Sequence, residues 1–98
     1  MPTFERSRRF LREYLALPRE QREAFKRVLL VFIVALREKP PAFPPSLRVK
    51  RVQSHAGVYE LTFGDGGRAT FAYGDEVDPG EPHVIWRRIG DHSIFDSP

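Results

Sequence analysis

The chain has 98 residues, 41% of them hydrophobic. That is enough for one domain with a modest core and excludes a globally disordered chain. It has no cysteine, which excludes disulfides and thiolate metal sites and fits a reducing cytosol. The net charge of +3 hides an asymmetry: residues 1–52 carry 13 Lys/Arg against 5 Asp/Glu, a net of +8, whereas residues 53–98 carry 3 against 8, a net of −5. A basic half of this kind suits an acidic partner such as RNA, DNA or an acidic protein; the plainer role is to solubilise two amphipathic helices.

No signal peptide is expected, because Arg6, Arg8 and Arg9 are not followed by an apolar segment. A first helix is predicted from about 4 to 17. Phe10, Leu11, Tyr14 and Leu15 recur at three- and four-residue spacing, with Arg8, Arg9, Arg12 and Glu13 between them. Leu17-Pro18 breaks it, since a residue before proline avoids the α region, and Pro18 suits the start of a second helix. That helix is predicted over about 19–38, with Phe25, Leu29, Phe32 and Leu36 as its main stripe. Val28, Leu30, Val31, Ile33 and Val34 widen the apolar surface, so the helix must be covered on more than one side. Its run VLLVFIVAL is about half of the roughly 20 residues that a membrane span needs, and a buried helix is expected instead. The short link between the helices implies an antiparallel hairpin.

KPPAFPPS, residues 39–46, is a stiff, extended connector into the second half. Four strands are predicted there: 47–53, 57–63, 68–73 and 83–89. In the second, Tyr59, Leu61 and Phe63 alternate with Val58, Glu60 and Thr62. GDGG at 64–67 is a tight hairpin turn. In the third, Ala69, Phe71 and Tyr73 alternate with Arg68, Thr70 and Ala72. Strict alternation in the fourth puts Ile85, Arg87 and Ile89 on one face and Val84, Trp86 and Arg88 on the other, so that one arginine alone faces the open side. The expected fold is α+β: a single domain with an N-terminal helical hairpin on one face of a roughly four-stranded antiparallel sheet, the other face being left for solvent or a ligand.

Nucleotide-binding glycine loops, zinc-protease and serine-elbow motifs are absent. His55, His83 and His92 lack metal-ligand spacing, and neither metal nor cofactor is expected. What stands out is charge at strand positions: Lys50 and Arg51, Glu60, Arg68, then Arg87 and Arg88, with His92 and Phe95 just beyond. Gathered on an open sheet face, Lys, Arg and His would suit a phosphodiester, because cations stabilise added negative charge and histidine moves protons. RNA supplies its own 2′-hydroxyl nucleophile, and aromatics such as Phe95 or Tyr73 stack unpaired bases. Each residue also has an ordinary structural role open to it. Arg68 can be a solvated hairpin arginine or pair with Glu60, and His55 sits in a loop.

Three segments together resemble the RelE/ParE toxin superfamily of bacterial type II toxin–antitoxin systems: LRVKRVQSHAGVYELTF at 47–63, GGRATFAY at 66–73 and HVIWRRIGDHSIF at 83–95. The resemblance implies a toxin that cuts mRNA in the ribosomal A site without a metal and is held inactive by a cognate antitoxin. It implies that Arg68 contacts the scissile phosphate, that His92 is acid or stabiliser, and that Phe95 is the accompanying aromatic. It places Lys50 and His55 in a segment where members carry basic or histidine residues; Arg51, Arg87 and Arg88 are expected among the RNA contacts from their strand positions alone. Some members carry lysines at the places of Glu60 and Thr62, so Glu60 would be base, orienter of Arg68 or structural. Two alternatives remain: a ParE-like gyrase inhibitor, or a silent member that binds an antitoxin.

Overall fold

Five aromatic rings decide where the sheet meets the second helix. Phe32 of that helix is fully buried, with its centroid 5.1 Å from Phe71 and 5.2 Å from Trp86, while Phe25 lies 5.4 Å from both Phe63 and Trp86. In this computed structural model, which describes residues 1–98, the order is β1 (Thr3–Arg6), α1 (Arg8–Ala16), α2 (Arg19–Leu36), β2 (Lys50–Arg51), β3 (Val58–Phe63), β4 (Gly67–Gly74) and β5 (His83–Gly90). Short 3-10 turns occupy Pro45–Leu47 and His92–Asp96. No helix is long and apolar enough to cross a membrane.

The α+β class and the helical pair are as expected. The sheet is not four-stranded and purely antiparallel: it has five strands in the order β1-β5-β4-β3-β2, and β1 runs parallel to β5. The predicted first helix therefore starts late. Thr3–Arg6 pairs with His83–Trp86, and Ser7 then caps α1, its hydroxyl accepting the Phe10 N–H at 3.0 Å. Helical periodicity further along extends the expected helix back over Phe4, Glu5 and Arg6, but an unpaired edge of β5 offers their backbone a better set of partners. His83 reinforces the junction. It is buried, with one ring nitrogen 2.7 Å from Thr3 Oγ1 and the other 2.8 Å from Glu5 Oε1.

The strand expected at 47–53 shrinks to Lys50–Arg51. Pro45–Leu47 coils into a 3-10 turn and Arg48 takes a positive φ of 51°, which ends any extended run before Val49. The other strands hold to within a residue or two. Along β3 and β4 the predicted alternation is correct: Tyr59, Leu61, Phe63, Ala69 and Phe71 face the helices, and Val58, Glu60, Thr62, Arg68 and Thr70 point to the reverse face. Strict alternation fails in β5. Phe71 is opposite Trp86 but Thr70 is opposite Arg88, so Arg87 is an extra, bulged residue. Val84, Trp86 and Ile89 thereby all enter the core, where simple counting had set Ile89 against the other two.

Candidate functional site

The reverse face of the sheet carries the polar side chains that the sequence singles out. One cross-strand row runs Lys50, Glu60, Thr70, Arg88, each opposite the next. Lys50 Nζ lies 3.7 Å from Glu60 Oε1. Thr70 is fully buried and its hydroxyl finds no partner within the chain. Arg88 is held on several sides: its guanidinium donates to Glu13 at 2.6 and 3.3 Å and to the carbonyls of Ile94 and Ser97 at 3.3 and 3.1 Å. Glu13 also accepts the Ile89 N–H at 3.4 Å, covering the β5 backbone beyond the end of β1. The C-terminal turn thus lies against this face. Ile94 is buried, and a side chain at Gly90 would meet its Cγ2 at 3.0 Å.

Beside this row opens a cleft of about 410 Å³ lined by Arg9, His55, Arg87 and Arg88, with Ser7, Ile85, Ser97 and Pro98 completing the wall. No Asp or Glu side chain lines it. The β5 bulge explains how neighbouring arginines share one cleft, a placement that regular alternation forbids. Arg87 donates from Nε and Nη2 to the main-chain oxygen of Pro98 at 3.4 and 3.2 Å, and its own carbonyl accepts the Ser7 hydroxyl at 2.8 Å. Arg9 forms no ion pair within the chain. His55 is exposed, its Nδ1 2.8 Å from Ser54 Oγ.

The remaining candidates gather elsewhere. Arg68 sits opposite Gly90 at the hairpin end of the sheet, donating to the Gly67 carbonyl at 2.9 Å. His92 follows two residues past Gly90, exposed, its ring 5.0 Å from that of Phe95 in an edge-on arrangement. Arg68 and His92 are neighbours in topology, but no hydrogen bond joins them. Arg51 is exposed opposite Tyr59 on the edge strand. Val58, Ala72 and Ile85 share a row at the cleft end, and Thr62, Arg68 and Gly90 share one at the hairpin end. Four residues of β3 separate these rows, about 13 Å at the usual rise. The candidates therefore form a cleft group (His55, Arg87) and a hairpin-end group (Arg68, His92, Phe95), with the row of Lys50, Glu60 and Arg88 between them and Arg88 reaching the cleft wall.

Ser7, Arg9 and Glu13 escaped the sequence reading. Arg9 and Glu13 looked like solvated charges on α1, and only the parallel pairing of β1 brings that helix to β5.

The turn that carries His92 is set by Asp91. Its carboxylate accepts the Ser93 N–H at 2.8 Å, and hydrogen bonding from Ser93, side chain and then backbone, holds its pKa below the ordinary aspartate value, with His92 adding to the effect. A depressed folded-state pKa stabilises the turn above the unfolded value, and that stabilisation is lost as pH falls through the folded value. Asp91→Ala is expected to fray His92–Asp96 while leaving the sheet intact. Faster amide exchange at Ser93 and Ile94, with β4 and β5 unchanged, is the readout; unchanged exchange at Ser93 would reject the capping role.

No protein-family model matches the chain, and no curated protein does. Among solved structures it is similar to the conserved hypothetical protein HP0894 from Helicobacter pylori, at 17% identity and a TM-score of 0.54, over 95% of this chain and 97% of that one. At that identity the likeness is one of fold. The chain is thus an α+β domain, two helices on a five-stranded mixed sheet, that shares its overall architecture with that protein.

Proposed function

We propose that this chain is a RelE-like toxin of a type II toxin–antitoxin pair: a metal-independent endoribonuclease that cuts mRNA in the ribosomal A site and is restrained by a cognate antitoxin. The observation that carries the reading is the cleft on the reverse sheet face, with three arginines and a histidine and no Asp or Glu side chain in its wall. Such a cleft attracts a polyanion and holds phosphates by charge-assisted hydrogen bonds.

In this reading the cleft group grips the RNA backbone, and the strand continues along the sheet toward Arg68, His92 and Phe95. The 2′-hydroxyl attacks the adjacent phosphorus, a base removes its proton, and the 5′-oxygen of the next nucleotide leaves after taking a proton from an acid. Arg68 stabilises the charge that builds on the phosphate, His92 acts as acid, and Phe95 stacks a base. Glu60, mostly buried and paired with Lys50, serves as base or keeps the row in order.

The test is induced expression in bacteria with mapping of mRNA ends on translating ribosomes. Arg68→Ala and His92→Ala are each expected to lower cleavage by about a hundredfold or more, and Arg87→Ala to weaken it less, through binding. Full toxicity in all three variants would remove the site assignment. DNA damage without mRNA cuts would point to the gyrase-inhibitor reading. A silent, antitoxin-binding member draws support from one observation: Arg88 is already occupied by Glu13 and two carbonyls. Absence of both growth arrest and cuts would favour it.

A further inference from the structure

α2 covers the sheet with one side and leaves the other apolar. Leu30 is 68% exposed, Val34 63% and Val31 43%. These three are contiguous at i, i+1 and i+4; Arg27 lies on the helix four residues before Val31, and Glu38 lies four after Val34, two residues past the end of α2. Neither Arg27 nor Glu38 has an ion-pair partner within the chain. Beside the stripe runs a groove of about 520 Å³, floored by Ala35, walled by Ala42 and Pro44, and closed at one end by Glu38. A contiguous apolar surface of this sort on a small domain is a contact surface.

We propose that the contact is with a second copy of this chain: two α2 helices pack antiparallel about a two-fold axis centred between positions 32 and 33. One register satisfies two separate features. It sets Val31 against Val34 of the second copy, and the reverse. It sets Arg27 against Glu38, so both unpaired charges find an opposite partner twice over. A two-fold interface must be self-complementary, because one patch serves both sides; this stripe is so in its apolar centre and in its charge. A foreign partner would not need opposite charges at mirrored distances from the centre of the stripe. The dimer leaves the cationic clefts free, since they open on the reverse face of the sheet. The inference does not depend on the nuclease reading.

Sedimentation equilibrium of the full chain, from about 1 to about 100 μM, tests it. A monomer–dimer equilibrium is expected in that range. Leu30→Arg should abolish it. Arg27→Glu and Glu38→Arg should each weaken it by about tenfold, since each turns two attractive pairs into two repulsive ones. The double variant Arg27→Glu/Glu38→Arg should restore it. All these positions are exposed, and circular dichroism verifies that each variant folds. A monomer throughout overturns the proposal, including one whose α2 face instead takes up an amphipathic helix from a different protein. A dimer that is indifferent to Leu30→Arg, or single charge reversals that the double variant fails to rescue, overturns the register.

Discussion

Phe32→Ala is expected to lower unfolding free energy by about 3–5 kcal/mol. Phe32 is fully buried, and three rings surround it: Phe43 and Phe71 at 5.1 Å and Trp86 at 5.2 Å. It is the point where α2, the proline connector and the sheet meet. Truncation removes the transfer free energy of a benzyl group and leaves a hole that rings from three different elements cannot easily close. A domain of this size has about 5–15 kcal/mol in total, so the variant would lose a large share of it. Urea unfolding should show a lower midpoint with an unchanged slope. Leu30→Ala, on the exposed side of the same helix, should change the stability of the monomer by no more than about 0.5 kcal/mol. Equal losses in the two variants would mean that Phe32 is not the keystone of this packing.

Glu13→Ala should be the next most damaging change, at about 2–4 kcal/mol. The side chains of Glu13 and Arg88 are 23% and 13% exposed, and Glu13 also receives the Ile89 N–H. Removing the carboxylate leaves a half-enclosed guanidinium without its anion and a strand-edge N–H without an acceptor. Asymmetry governs the size of the effect: breaking one side of such a pair costs far more than the intact pair contributes. Glu13→Gln, which keeps an acceptor for Ile89, should be milder. Glu23→Ala serves as the control, because Glu23 meets Lys26 at 3.8 Å on the open surface, where such pairs contribute about 0.5 kcal/mol or less. If Glu13→Ala and Glu23→Ala prove equally mild, Arg88 does not depend on Glu13. Since Arg88 also lines the cleft, Glu13→Ala should disturb the C-terminal turn as well, through the Ile94 and Ser97 carbonyls.

The contrast between these two residues shows how unevenly the molecule is written in its sequence. Phe32 belongs to a stripe whose period announces a buried helix face. Glu13 sits among arginines on α1 and reads as one more solvated charge. Its role arises because β1 ends at Arg6, one residue before Ser7 starts the helix, so that α1 is delivered to the unpaired stretch of β5. Nothing in Thr3–Arg6 itself advertises a strand: four residues are too few to show a period of two, and the partner lies 80 positions away. Arg87 and Arg88 tell the same story. Alternation permits one of them on the reverse face, and the bulge that admits both to the cleft depends on how β5 meets β4.

What the sequence determined by itself is therefore the local and periodic part. That part comprises the α+β class, the two helices divided at Leu17-Pro18, the proline connector, the hairpin at 64–67, the core faces of β3 and β4, and the presence of cationic side chains in the strands. These follow from spacing and backbone preference, which act over a few residues. Tertiary structure alone decided the fifth strand, the parallel pairing, the β5 bulge, the short β2, and the separation of the candidate residues into a cleft group and a hairpin-end group. Each of those depends on contacts between segments far apart in the chain, where the choice is made by which backbone edges and which buried volumes remain to be filled.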